Sequence, residues 1–480
     1  MVKRMIWPIS GKLRSVTSYF LYPVDPCERL PWTAMGKCTR SRFLGLGALG
    51  VAVLLSSATL HAQDNVFTGT NTGADRIRIA AANFRAGSGD ANGLKQTFDS
   101  VLFNDLQNAG VFDLVSKSMQ PQSTPATPQE IHFDEWTVAP VNAAYVAFGS
   151  FSLTGGRAVV NAYVDDTHNA QYPQVVGKQY TDTPDENGAR TIAHKLADEI
   201  ILRLGGGIPG IAESKIYYVH AGGGNKEIWV MDYDGANAHA VTHLGTISIS
   251  PRVSPDNSRV AFSSLGRDGF QIRMYSLLLN RTINFGNGGG GTNLSPAWSA
   301  NGQLAYSSSR SGDPEIYITD QNGGGARRIT NSRGPDVSPT WNPKTGSQLA
   351  FISGRTGLPQ VYIMDSDGAG VQRMTDGGYA TSVSWSPNGQ FLAFAWNRKY
   401  GPGAPGGQDI YVMEIASKRW IQLTNGIGRC DFPSWSPDGR HIVFAVGSGA
   451  RAEVWTMLAD GTAKHRLAGT GSDMPNWSFR

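Results

Sequence analysis

Short apolar runs bounded by turn residues fill the chain from Lys215 onward. One set reads Leu349-Ala350-Phe351 and Leu392-Ala393-Phe394; another reads Ile316-Tyr317-Ile318, Val361-Tyr362-Ile363-Met364 and Ile410-Tyr411-Val412-Met413. Runs this short and apolar on both faces predict β-strands sandwiched between neighbouring layers. Asn301-Gly302, Asn388-Gly389 and Asp438-Gly439 supply the positive φ of a tight hairpin between them. A second turn, at Asp367-Gly368 and Asp460-Gly461, leads to polar runs such as Arg327-Arg328-Ile329-Thr330. Charge on such a run suits an outer strand, where it discourages edge-to-edge pairing.

Upstream the period changes. Leu94, Phe98, Val101, Leu102, Leu106 and Ala109 share one helical face, as do Ile192, Leu196, Ile200 and Leu204. The second helix is stopped by Gly205-Gly206-Gly207 and Pro209. Arg76–Ala82 and Val111–Val115 read as strands, and a Ser/Pro/Gln-rich loop follows to about Glu130. Tyr145–Leu153 and Arg157–Asp165 flank Gly155-Gly156, a hairpin signal. Residues 74–204 are therefore expected to form a small α/β domain, joined by a linker at 205–213 to a β-domain at 214–480.

That β-domain is a repeat. SPAWSANGQLAY from Ser295 recurs as SPTWNPKTGSQLAF from Ser338, SVSWSPNGQFLAF from Ser382 and FPSWSPDGRHIVF from Phe432. A degenerate copy, SPRVSPDNSRVAF, begins at Ser250, and the chain closes on MPNWSFR. The matching positions Val253, Trp298, Trp341, Trp385, Trp435 and Trp477 are spaced 45, 43, 44, 50 and 42 residues apart. A period in the low forties marks a four-stranded propeller blade. The last copy stops after its Trp strand, and the first, at Ile216-Tyr217-Tyr218-Val219, begins with the second strand. Joined, they complete a sixth blade. The expected architecture is mainly β: a six-bladed β-propeller closed by the C-terminal strand, preceded by the α/β domain.

Composition changes the picture in two places. The chain has 58 glycines in 480 residues without a Gly-X-Y period, which fits turn-dense β-structure and excludes collagen. The net charge of +4 is a property of the first 62 residues; the remainder holds 34 basic and 36 acidic side chains, a net of −2. A weakly acidic body offers no field for nucleic acid. The uncharged run from Phe43 to Leu60 follows Lys37, Arg40 and Arg42 and ends at a small residue. This is the grammar of a secretory signal peptide, so residues 1–62 are expected to be a signal with an N-terminal extension, and either Met1 or Met35 the start. After cleavage no direct membrane insertion is expected. Cys27 and Cys38 leave with the leader, and Cys430 reads as a small packed side chain.

Catalytic signatures do not emerge. There is no G-x-S-x-G elbow, no HExxH helix and no G-x-x-x-x-G-K-[ST] loop. His239, His243, His441 and His465 fall within blades, where polar surface is the expected role. Asp232-Tyr233-Asp234-Gly235 and Asp365-Ser366-Asp367-Gly368 lack the further ligands and distal Glu of a calcium loop and read as hairpin turns. The Trp series reads as core packing rather than a ligand-stacking set, and Gly286–Gly291 as an interblade loop. Arg310, Arg355 and Arg398 occupy related places after the second strand, where they brace turns or line a face for a carboxylate-bearing partner. No catalytic residue, metal site or cofactor is expected.

The exported leader, the α/β domain and the P-x-W-S-P-[DN]-G…LAF…[IV]Y-[IV]-M-D blades with a closing P-x-W-S resemble the TolB family of the Tol-Pal system, across about residues 63–480. The resemblance implies a monomeric, non-enzymatic periplasmic adaptor supporting outer-membrane integrity and cell division. It implies that the Pal lipoprotein docks on loops before the P-x-W strands, here Thr292, Asn293 and Ser295, and Asp336, Val337 and Ser338. It implies that TolA binds the flexible mature N-terminus at 63–73, through Gln63, Asp64, Asn65, Val66 and Phe67. The residues alone leave two alternatives: an exported hydrolase or peptidase relative, and a glycan-binding propeller.

Overall fold

The structure, a computed structural model, describes residues 76–89, 92–286, 290–401 and 407–479. The expected signal peptide and the 63–73 segment lie outside these residues.

The first body is a sheet covered by two long helices. Strand β1 (Ile77–Ala81) lies between β3 (Phe112–Leu114) and β4 (Tyr145–Thr154), parallel to both. The short β2 (Arg85–Ala86) also pairs with β4. Antiparallel β5 (Arg157–Asp166) and β6 (Gln174–Asp182) extend the sheet beyond β4. Helices α1 (Asn92–Asn108) and α3 (Glu186–Leu204) cover one face. The predicted apolar stripes of both helices are buried there, against Ile79, Ala147, Phe151 and Val160. The Asp185 side chain caps α3 by accepting a hydrogen bond from the Gly188 N–H, 2.8 Å. A short helix, α2 (Phe133–Thr137), places Trp136 against the opposite face. Sequence periodicity does not indicate β6 or α2: β6 exposes most of its residues, and α2 is barely one turn.

The second body is the propeller. Six four-stranded antiparallel sheets follow one another, each running from an inner to an outer strand. Five are contiguous in sequence. The sixth joins the terminal strand Ser472–Trp477 to Lys215–Gly222, Asn225–Asp232 and His239–Ala240. Second and third strands such as Leu304–Ser308 and Glu315–Thr319 are buried at every position, as their two-sided hydrophobicity demands. Outer strands such as Arg327–Arg328 are exposed. Cys430 is fully buried on an inner strand, and burial raises its thiol pKa to about 11.

Every inner strand carries the same interruption. Its third residue in five blades (Ser250, Ser295, Ser338, Phe432 and Met474), and the fourth, Ser382, in the remaining one, has a φ between +49° and +55°. Pairing with the second strand shifts register there, for example between Leu294 and Ala297 and between Val337 and Thr340. A bulge repeated at one level bends each inner strand where the six converge.

The two bodies share a core. The cluster beneath α1 and α3 continues through Ile211 and Ala212 of the 205–213 connection into Ile216, Tyr218, Val443, Val454 and Trp477 of the propeller. The connection is thus packed into the junction.

Candidate functional site: the two ends of the propeller

Strand direction assigns the propeller's two ends. Inner strands begin at one end and finish, at the Trp position, at the other. The turns after the Trp strands and after the third strands lie at this second end, beneath the α/β domain.

That covered end is joined by buried polar contacts. Tyr233, in the Asp232–Gly235 turn, donates its hydroxyl proton to Asp105 Oδ1 of α1, 2.5 Å. The other oxygen of Asp105 lies 2.7 Å from His194 Nδ1 of α3. Burial opposes charge on His194, but the hydrogen bond and charge of Asp105 outweigh it and raise the imidazole pKa above its ordinary value. Burial and the Asp105 charge push the Tyr233 phenol far up, so it remains a donor. Arg190 of α3 pairs with Asp234 at 2.6 Å. In the last blade, His441 Nε2 meets the Asn108 carbonyl at 2.7 Å, and Arg440 donates to the Gly205 carbonyl at 2.7 Å. His239, His243 and His465 are exposed, as expected. His441 is not: it is buried and ties the blade to α1, which corrects its reading as polar surface. The Asp232–Gly235 turn is a hairpin turn, and its side chains also grip the α/β domain.

Of the residues expected on loops facing Pal, only Thr292 lies outside a strand; the other five belong to the open-end starts of the inner strands Asn293–Trp298 and Asp336–Trp341. Thr292, Ser295, Val337 and Ser338 are half-buried, with Ser295 and Ser338 at the bulges. Asn293 and Asp336 are fully buried and point into the scaffold. Asn293 donates to Gln271 Oε1, 2.7 Å, and Asp336 Oδ2 accepts from Arg355 Nη2, 2.8 Å. Burial raises the Asp336 pKa, while Ser353 and Arg355 oppose the shift.

Arg310, Arg355 and Arg398 form a repeated device here. The Arg310 guanidinium sits 4.5 Å from the Tyr317 ring centroid and donates to the Tyr306 hydroxyl at 2.6 Å. Arg355 lies 5.0 Å from Tyr362 and 5.4 Å from Phe351, and Arg398 lies 4.3 Å from Trp420. Stacking on aromatic faces holds each guanidinium in a fixed plane. Leu265, near the end of a second strand, and Leu358 and Tyr400, on loops after second strands, expose apolar surface. Sequence reasoning passes over these three because isolated apolar residues beside turns carry no periodicity.

Between the α/β domain and the bulges lies a cavity of about 900 Å³. The five Trp residues of the series and Val253 line it. All six are buried, so they are core residues whose edges form a wall. Among the described residues, no group of three or more His, Cys, Asp or Glu is arranged to hold a metal ion. No helix among them is long and apolar enough to cross a membrane.

Comparison with known proteins follows the same division. Residues 203–480 match the family described as the TolB beta propeller domain, and residues 70–172 match the TolB amino-terminal domain. The Tol-Pal system protein TolB of Gluconobacter oxydans (strain 621H) is 32% identical over 418 residues, covering 84% of this chain and 86% of that protein. A protein TolB homolog of Chlorobium chlorochromatii (strain CaD3) is 30% identical over 274 residues, 56% of this chain. That match spans 60% of the relative's length. The crystal structure of TolB from Acinetobacter baumannii superimposes with a TM-score of 0.69 at 23% identity, covering 84% of this chain and 97% of that one.

Proposed function

The chain belongs to the TolB family, and on that premise we propose that it is a non-catalytic periplasmic adaptor of the Tol-Pal system. Its open propeller end docks the Pal lipoprotein, and the 63–73 segment engages TolA. The observation that carries this reading is the division of the propeller into a covered and an open end. The α/β domain occupies one end through a shared core and buried hydrogen bonds. The other presents a preformed surface with stacked arginines and exposed Leu265, Leu358 and Tyr400.

A rigid plate of this kind binds at little ordering cost. Planar guanidiniums suit carboxylates on a partner, and isolated apolar side chains provide anchors. Thr292, Ser295, Val337 and Ser338 contact Pal in this proposal. Asn293 and Asp336 act beneath them, holding the loops in shape. The 63–73 segment, polar in sequence, is the TolA contact in this proposal, which leaves that contact open to regulation.

Crosslinking in cells followed by identification of the captured proteins tests the reading. Recovery of Pal and TolA supports it. Recovery of neither, with a glycan or a hydrolysed substrate found instead, refutes it.

A further inference from the structure

One residue from each inner strand, immediately before the Trp position, lines the cavity beneath the α/β domain: Arg252, Ala297, Thr340, Ser384, Ser434 and Asn476. This ring contains one full charge, the Arg252 guanidinium, and no carboxylate. Among the described residues Arg252 forms no ion pair, and the one hydrogen bond of its guanidinium runs from Nη1 to the Pro251 carbonyl, 2.7 Å. Burial alone shifts its pKa, down to about 10, and no neighbouring acid opposes the shift. Arg252 is half-buried, and a cation partly withdrawn from water without a carboxylate partner favours an anionic one.

Of the four acids of the cavity wall three are already engaged, while the fourth, Glu213, is exposed to solvent. Asp198 accepts hydrogen bonds from the Ala212 and Glu213 N–H groups, Glu199 pairs with Lys178 and Arg203, and Asp438 is held by Ser436 and the Arg440 N–H. Hydroxyls are free in the ring itself: those of Thr340 and Ser384 make no hydrogen bond among the described residues. The repeat also breaks here. Val253 stands where five other blades place Trp, so the indole that elsewhere follows the ring residue is missing beside Arg252.

We propose that this cavity binds a small anionic solute, a carboxylate or a phosphate, whose charged group sits on Arg252 and takes further hydrogen bonds from Thr340 and Ser384. A volume of about 900 Å³ lies within the range of small-molecule sites. The cavity opens beside the α/β domain, where Lys178, Lys195 and the half-exposed Leu202 and Phe479 border it. It ends before the bulges, since none of the six bulge residues lines it. Phe432 packs against the cluster containing Met474.

The test is calorimetric titration of the whole mature protein with inorganic phosphate in one arm and succinate in the other, at constant ionic strength set with chloride. Saturable binding in at least one arm is expected, weakened at least tenfold by Arg252→Met and partly retained by Arg252→Lys. Binding that Arg252→Met leaves unchanged overturns the proposal, as does the absence of binding in both arms. Should Arg252→Met fail to fold, wild-type crystals soaked in bromide decide. Anomalous density at the Arg252 guanidinium supports the site, and its absence there contradicts it.

Discussion

Trp477 and Ser214, 263 positions apart, are joined by a 2.7 Å hydrogen bond from the indole Nε1–H to the serine hydroxyl. Beside it the Ser478 N–H donates to the Lys215 carbonyl at 2.8 Å, and the Lys215 N–H donates to Ser478 Oγ at 2.9 Å. The last strand thereby becomes the inner strand of the first blade. Trp477 also belongs to the core that reaches under α1 and α3, so one side chain serves both ring closure and the interdomain junction.

Deleting Met474–Arg480 strips Lys215–Gly222 of its inner neighbour and opens the shared core. A drop in melting temperature on the order of 10 °C is expected, and Trp477→Ala alone should cost about 4 kcal/mol. Differential scanning calorimetry checks both. A melting curve unchanged by the deletion would show that closure contributes nothing.

Asp336 is fully buried and is paired with Arg355 at 2.8 Å. Arg355→Ala leaves its carboxylate buried without its cation, and a loss of about 3 kcal/mol is expected. Arg355→Ala combined with Asp336→Asn should recover much of that loss, because no charge then remains buried. Denaturant titrations of the two single variants and the double variant measure the coupling.

The raised pKa of His194 makes the junction sensitive to pH. The folded state holds the proton more tightly than the unfolded chain, whose histidine titrates near 6.5. This contribution to stability is fully present below pH 6.5 and is lost as pH rises through the higher folded value. His194→Gln should therefore destabilise strongly at pH 5.5 and much less at pH 8.5. Melting temperatures of the wild type and the variant at the two values decide. A difference that grows with pH has the wrong sign.

The propeller was legible in the sequence because its blades repeat one pattern. Strand, turn and Trp positions confirm one another across copies, and incomplete ends declare their own junction. The two long helices were legible from Phe98, Leu102 and Leu106 and from Ile192, Leu196 and Ile200, which bury as one face each. The interdomain joint was not. Asp105, His194, Tyr233 and His441 lie on four segments far apart in the chain, and each alone resembles ordinary polar surface. The open-end arginines were legible as a recurring position but not as stacked groups, since the stacking partners Tyr317, Tyr362 and Trp420 come from third and fourth strands. Asn293 and Asp336 show the limit of motif transfer: a family position fixes the loop, while burial decides which side chain in it meets the outside.

Docking of Pal on the open end is tested most directly by calorimetric titration of purified Pal into the mature protein and into a Thr292→Arg, Val337→Glu double variant of unchanged melting temperature. Both substitutions place charge at half-buried positions on the proposed contact surface, Thr292 just before one inner strand and Val337 near the start of the next. At least a tenfold loss of affinity is expected. Affinity equal to that of the wild type would contradict the assignment of this end as the docking face.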